Sequence, residues 1–227
     1  MLLRAGCGGF PVGRDRYFKA LPTVELSSSF DRLPRLRTAQ TWKSEAPNGF
    51  DFSMLACRDI THPARSGGYA SPSRSAALGH FRPSDAVFSA WEETRSVVEA
   101  LGARFLVFVT PPSFYPDANH LRDMYRFFKS ARRGAAAWVW QAQGTWELRL
   151  LSKVCGDLGL IRASDPLAAE YPSFGRLNYF RLSRPPEGGF NPEHFRRIRL
   201  RCQEKPSYVF FAYRQSWDDA RRFAQGL

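Results

Sequence analysis

The sequence lacks any apolar run that could cross a bilayer, since no stretch approaches the roughly 18 uninterrupted apolar residues that a spanning helix requires. Its first residues, MLLRAGCGGF, place an arginine and three glycines where a secretion signal would carry its apolar region. These two features predict a cytoplasmic protein that does not associate with membranes.

Cysteine and histidine are scarce. Four cysteines lie far apart and form no CxxC pair, so neither a zinc site nor a disulfide framework is indicated. Four histidines are too few for the converging histidines and carboxylates of a metal-dependent nuclease. The sequence also has no glycine-rich phosphate loop, nucleophile elbow or dinucleotide fingerprint after a strand. We therefore expect no metal and no cofactor.

The sequence has fewer acidic than basic residues. Lysine and arginine total 33 against 21 aspartates and glutamates, which gives a net charge of +12 and a pI near 10.1. A surface of this sign attracts polyanions, so nucleic acid or a small anionic ligand is the expected partner. An arginine-rich composition can also reflect genomic base composition, and the sequence does not indicate an oligomeric state.

Eight apolar runs alternate with amphipathic patterns along the whole chain. The clearest helix is SDAVFSAWEETRSVVEALG, with Ser84 or Asp85 as its cap and Gly102 as its end. A second, DANHLRDMYRFFKSARRG, is predicted to end at Gly134. The predicted strands lie in LLRAGCG, TVELSSSF, FDFSMLA, ARFLVFVTPP, AAAWVWQA, LIRASDP, LNYFRLSR and SYVFFAY.

A strand followed by a helix, repeated eight times, implies parallel strands joined by right-handed crossovers. The sequence therefore predicts an α/β fold, a compact (β/α)8 (TIM) barrel that forms one domain over residues 1–227. The longest irregular stretch, residues 63–84, is predicted to be a loop over the mouth of the barrel.

Eight of these segments also resemble a known family. In order, AGCGGFPVGRDRYFKAL, VELSSSF, FDFSMLACRDITHP, LVFVTPPSF, VWQAQGTW, SDP, YFRL and YVFF with SWDDA follow the YecE-like family, domain of unknown function 72. The resemblance spans the chain and implies a TIM barrel of unestablished activity. It also implies a lysine, a glutamate and an arginine at the mouth, where this chain carries Leu55, Gln141 and Gln143. This chain is therefore interpreted as a divergent member.

Residues at the C-terminal ends of barrel strands face the site. Alternation along the second strand turns Glu25 inward, where a carboxylate is costly unless paired, and Arg181 on the seventh strand is a possible partner. Glu25 is either a catalytic or ligand-binding group or half of a buried structural pair. His62 and Asp165 end strands three and six and are either catalytic groups or loop-forming residues.

The remaining residues of the predicted site are ligand contacts. They supply hydrogen bonds, positive charge or aromatic faces at the same end of the barrel: Ser29, Arg58, Gln141, Gln143, Trp146, Arg181, Arg184 and Tyr213. Trp146 is either a stacking surface or a packing residue.

Because charged groups have been replaced at the mouth, the sequence favours binding of an anionic ligand or nucleic acid over turnover. Hydrolysis of a phosphodiester or glycoside by Glu25 and Asp165 is the alternative, and a cytoplasmic protein-interaction scaffold is a third.

Overall fold

The protein, described by a computed structural model over residues 2–64 and 77–226, is built on eight parallel strands. These are β1 Leu3–Cys7, β2 Thr23–Leu26, β3 Asp51–Leu55, β4 Phe105–Thr110, β5 Ala137–Ala142, β6 Ile161–Ser164, β7 Asn178–Leu182 and β8 Ser207–Phe211. Hydrogen-bonded neighbours follow the order β1-β8-β7-β6-β5-β4-β3-β2, which is a nearly closed (β/α)8 barrel. The predicted fold class is confirmed.

Helices cover the outside of the barrel. In chain order the described helices are α1 Arg14–Ala20, α2 Leu36–Glu45, α3 Arg58–Thr61, α4 Asp85–Leu101, α5 Ala118–Ser130, α6 Leu148–Leu158, α7 Pro192–Arg201 and α8 Trp217–Gln225. A short 3₁₀ turn, Ser27–Phe30, follows β2. The predicted ends of α4 are confirmed, because Ser84 Oγ accepts a hydrogen bond from Val87 N and Gly102 adopts a left-handed conformation with φ 63°.

Three local predictions were wrong. Helix α5 ends at Ser130 and not at Gly134, because the backbone turns extended at Ala131. The strand–helix alternation is broken once, since the described residues 165–177 between β6 and β7 contain no helix. Finally, the predicted strand in TVELSSSF is shorter than its segment, because β2 ends at Leu26 and the last four residues, Ser27–Phe30, form the 3₁₀ turn.

Alternation along the strands separates two apolar layers. Phe105, Val107 and Val109 of β4 lie inside the barrel, with the inward residues of the other strands. Leu106 and Phe108 of the same strand belong to the larger cluster between the barrel and its helices. All six residues of β4 are buried, which explains why this strand reads as a continuous apolar run.

The seam between β1 and β2 is closed by a side chain. The Tyr17 hydroxyl accepts a hydrogen bond from Cys7 N at 2.8 Å and donates one to Thr23 O at 2.9 Å. The strands also approach closely, because a Cβ added at Gly6 would lie 2.3 Å from Thr23 O. The phenol therefore links two strands that share no ladder in the described sheet order.

We expect Tyr17→Phe to lower the free energy of unfolding by about 1–3 kcal/mol, because it leaves the buried Cys7 N–H without a partner. Chemical denaturation followed by far-UV circular dichroism measures the change. The matched control is Tyr125→Phe, which removes only the exposed hydrogen bond to Asp157 and should change stability by less than about 1 kcal/mol. Equal losses for both variants would contradict the role of Tyr17 at the seam.

The predicted loop at 63–84 lies partly outside the described residues, which omit 65–76. The described residues at its C-terminal end pack against α3. There Gly79 N, His80 N and Phe81 N donate hydrogen bonds to the backbone carbonyls of residues 59, 61 and 60, respectively. None of the helices in the described ranges has both the length and the apolar character needed to cross a bilayer.

Candidate functional site

A buried carboxylate lies inside the barrel near its C-terminal end. Glu25 of β2 is fully buried and accepts hydrogen bonds from Arg181 Nε at 2.8 Å, from the Tyr179 hydroxyl at 2.8 Å and from Ser27 Oγ at 3.3 Å. Glu25 and Arg181 also form an ion pair with the same 2.8 Å separation. The predicted inward orientation of Glu25 and its pairing with Arg181 are confirmed.

The network extends to two further strands. Tyr179 also contacts Ser53 Oγ of β3 at 2.7 Å, and Arg181 Nη1 donates to Gln141 Oε1 of β5 at 2.9 Å and to Ser183 Oγ at 3.2 Å. Strands β2, β3 and β5 therefore contribute one polar side chain each to the network, and β7 contributes two. Sequence reasoning missed Ser53, although the alternation Asp51, Ser53, Leu55 on β3 is a signal that could have found it.

The surroundings keep Tyr179 protonated and Arg181 charged. Burial, and then the Glu25 charge, raise the pKa of Tyr179 well above its usual value, so the phenol stays a neutral donor. Burial lowers the pKa of Arg181, but the adjacent Glu25 carboxylate outweighs this effect and the net shift is upward. The guanidinium is therefore a permanent, fixed cation.

Arg181 nevertheless keeps donors for a ligand. Its side chain is 10% exposed, and it uses Nε and Nη1 within the network. Among the described residues, no acceptor is hydrogen-bonded to Arg181 Nη2 or to the amide nitrogen of Gln141. These two groups can offer up to four N–H bonds beside one another.

The rim beside β3 carries two of the predicted residues. His62 Nδ1 lies 2.9 Å from Thr61 Oγ1, and the His62 ring packs edge-on against Phe30 at 4.8 Å. Arg58 also lies near Phe30, 6.0 Å from the centre of its ring, and 3.7 Å from the Asp31 carboxylate. The rim therefore has a half-buried positive charge held against an aromatic ring.

Other predicted residues hold the local structure. The buried Ser29 hydroxyl lies 2.6 Å from Leu26 O and 2.7 Å from Leu55 O, which fastens the 3₁₀ turn to β3. Asp165 is exposed, and its Oδ1 accepts from Leu167 N at 2.8 Å, the geometry of a turn-forming aspartate. These contacts favour a structural role for both residues.

The two aromatic candidates pack against protein. Trp146 is 7% exposed, donates from Nε1 to Phe114 O at 3.2 Å and stacks on the Phe114 ring. Tyr213 stacks on Phe190, and burial and then the nearby Asp219 raise the pKa of its hydroxyl, which donates to Asp219 at 2.5 Å. Neither ring offers two open faces to a ligand.

The last two candidates, Gln143 and Arg184, are exposed just beyond the ends of β5 and β7. Gln143 follows Gln141 in the chain and Arg184 follows Arg181, so both belong to the outer rim. Across the described residues, no group of three or more histidine, cysteine, aspartate or glutamate side chains is arranged to hold a metal ion.

The chain also matches a family model. Residues 14–153 match the family described as Protein of unknown function DUF72. The chain belongs to this family. The resemblance found in the sequence motifs is therefore confirmed. The family description itself names no activity. No curated protein matches the chain.

Solved structures share the DUF72 fold at low identity. A DUF72 family protein from Enterococcus faecalis is 13% identical to this chain, with a TM-score of 0.69. The match covers 99% of this chain and 94% of the Enterococcus protein. One from Thermotoga maritima is 12% identical with a TM-score of 0.66, over 99% and 98% of the two chains. A xylose isomerase domain containing protein from Salmonella typhimurium is 11% identical with a TM-score of 0.58, over 99% and 93%. These similarities show the fold alone.

Proposed function

We propose that this DUF72 barrel binds a small anionic ligand, a carboxylate or a phosphate ester, at its C-terminal mouth. The observation that carries the proposal is the fixed guanidinium of Arg181, whose Nη2 group has no hydrogen-bonded acceptor among the described residues. A guanidinium that is already oriented binds an oxyanion without first losing side-chain freedom.

The charges around the mouth support an anion. Glu25 offsets the charge of Arg181 and Asp31 that of Arg58, so the net attraction comes from the exposed Arg184 and from the excess positive charge of the chain. Short N–H bonds from Arg181 and Gln141 then give the ligand its position. An anion held in this way gains charge-assisted hydrogen bonds at a site with restricted access to water.

The contacts favour binding over hydrolysis by a carboxylate pair. Glu25 already accepts three hydrogen bonds, from Arg181, Tyr179 and Ser27, so its carboxylate oxygens are occupied by protein donors. Asp165 lies in an exposed turn, where its carboxylate is bonded to Leu167 N. No hydrogen bond or ion pair joins these two carboxyl groups to a common partner within the described residues.

We expect Gln141→Glu to weaken binding of a small anion by about 10- to 100-fold, because it places a carboxylate against the Arg181 guanidinium, at Nη1, at an effective dielectric constant near 20. Isothermal titration with inorganic phosphate, glycerol phosphate and malate measures the affinity. The variant should fold normally, since glutamate has nearly the shape of glutamine and keeps an oxygen to accept the hydrogen bond from Arg181 Nη1.

The matched control is Gln143→Glu, which makes the same charge change two residues further along, at an exposed position. Its expected loss of affinity is less than about threefold, because exposed charges are screened. Equal losses in the two variants would show that only net charge matters, and an absence of binding to all three anions would rule out the proposal.

A further inference from the structure

A groove runs along the N-terminal face of the barrel, on the side opposite the mouth. The largest of its three parts, with a volume of about 690 Å³, lies where β5 and β6 begin. Ser173 and Lys205 connect it to a second part of about 380 Å³. Tyr171, Arg201 and Glu204 connect the second part to a third, of about 280 Å³, beside the end of α7. The three parts are therefore adjacent, and together they are called the groove below.

The groove is strongly basic. Five of its lining residues are cationic and one, Glu204, is acidic. The cations are Arg133, Arg176, Arg197, Arg201 and Lys205. Within the described part of the chain, none of these five forms an ion pair.

Backbone carbonyls, which carry no net charge, hold three of these cations. Arg133 donates to the carbonyls of residues 158 and 159, and Arg201 donates to Ala168 O at 3.2 Å. Lys205 Nζ lies 3.3 Å from the carbonyls of residues 173 and 175. Burial lowers the pKa of both Arg133 and Arg201, although Tyr171 and Asp165 oppose this effect at Arg201. The protein therefore fixes these positive charges in place without neutralising them.

Elsewhere on the surface, arginines do have carboxylate partners. On α7 itself, Arg196 pairs with Glu193 at 2.7 Å, one helical turn away, whereas the adjacent Arg197 faces the groove without such a partner. On α4, Arg95 is paired with both Glu92 and Glu99. The groove cations therefore differ from Arg95 and Arg196, whose charges are offset by carboxylates on the same helix.

Aromatic rings and small residues complete the lining. Arg201 lies 3.4 Å from the ring centre of Tyr171, and Arg133 lies 4.1 Å from that of Trp138. Glycine and alanine at residues 134–136, with Gly159, line the largest part of the groove. Flat guanidinium groups supported on rings offer a face to a stacking base, and small residues allow a polymer backbone to approach closely.

We propose that this groove binds single-stranded nucleic acid through its phosphates. Residues 171–176 form one wall of the groove, and six residues span at most about 20 Å. A wall of up to this length can contact several units of an extended chain, whereas a compact ion would contact only a small part of it. Phosphates at intervals along such a chain match cations at intervals along the groove. No base-reading motif is present in the sequence, so binding is independent of base sequence.

Fluorescence anisotropy with a labelled oligothymidine of 12 nucleotides tests the proposal. If each of the five cations contacts one phosphate, the logarithm of affinity falls with the logarithm of salt concentration with a slope of about 3.5, or about 100-fold between 50 and 200 mM salt. Arg176→Gln with Arg197→Gln removes two exposed cations that make no hydrogen bond to the described residues. This double variant should lower the slope by about 1.4 and weaken binding on the order of tenfold at 50 mM salt.

The control is Arg126→Gln with Arg196→Gln, which changes the net charge equally but lies outside the groove and should leave the affinity within about twofold. Unfolding midpoints confirm that both double variants are folded. Equal losses in the two double variants, or binding that Gln141→Glu abolishes, would overturn the groove as the site. Polyglutamate of the same charge that binds as tightly as the oligonucleotide would also overturn it, since the partner would then be an acidic peptide.

Discussion

Replacing Glu25 by alanine will lower the free energy of unfolding by about 3–5 kcal/mol, because the substitution leaves the buried Arg181 guanidinium without a counter-charge. The Tyr179 hydroxyl loses an acceptor in the same variant, although it keeps its contact with Ser53. Urea denaturation at neutral pH, followed by tryptophan fluorescence and circular dichroism together, measures the change.

The size of this loss does not mean that the pair stabilises the fold by the same amount. Desolvating both charges is costly, so replacing both by apolar groups of similar volume is expected to be far less damaging. The double variant Glu25→Leu with Arg181→Met should therefore lose at least about 2 kcal/mol less than the sum of the single variants Glu25→Leu and Arg181→Met. Additive losses would contradict a direct coupling between the two residues.

The double variant also bears on function. If Arg181 exists only to hold the barrel together, an apolar pair that keeps the fold should keep any ligand binding as well. If Arg181 binds an anion as proposed, the double variant will be folded but will not bind. The comparison therefore separates the structural role of the pair from its proposed role at the mouth.

Acidification will destabilise the protein through His80, by up to about 3 kcal/mol between pH 6.5 and 4. His80 is 8% exposed, and burial lowers its pKa from 6.5 to about 4, with further repulsion from His120, Arg82 and His62 and an opposing attraction from Asp117. The unfolded chain therefore takes up a proton at this residue before the folded protein does. The stabilisation is complete above pH 6.5 and is lost as the pH falls towards 4.

The variant His80→Asn isolates this effect. His80 adopts a left-handed backbone conformation with φ 54°, which asparagine tolerates better than most residues. Asparagine does not take up the proton, so the variant should lose less stability than the parent between pH 7 and pH 4.5, whatever its stability at pH 7. Identical pH profiles for the two proteins would show that His80 does not contribute.

The fold could be predicted because its signals are local. Each strand is an apolar run bounded by glycine, proline or a polar turn, and α4 carries its own cap at Ser84 and its own end at Gly102. Where a local signal was ambiguous the prediction was wrong, as at Gly134, which lies beyond the true end of α5. The absence of a helix after β6 was missed because parallel strands usually require one.

The pairing of Glu25 with Arg181 was predictable from two inward positions on barrel strands, although the two residues are 156 positions apart. Their exact partners were not, because a hydrogen bond depends on the distance between atoms and not on the side of a strand. The burial of Trp146 likewise depends on a distant neighbour, Phe114, whereas the turn at Asp165 is local and was one of the two interpretations that the sequence offered.

By itself, the sequence determined the eight strands, their parallel order and the family, since these depend on residue patterns within short segments. Only the tertiary structure decided that Tyr17 joins β1 to β2, that Arg181 keeps Nη2 for a ligand and that unpaired cations from four separate segments line one groove. These features arise when the barrel closes and brings distant segments together. Charge composition alone carries no information about where on a closed surface the charges meet.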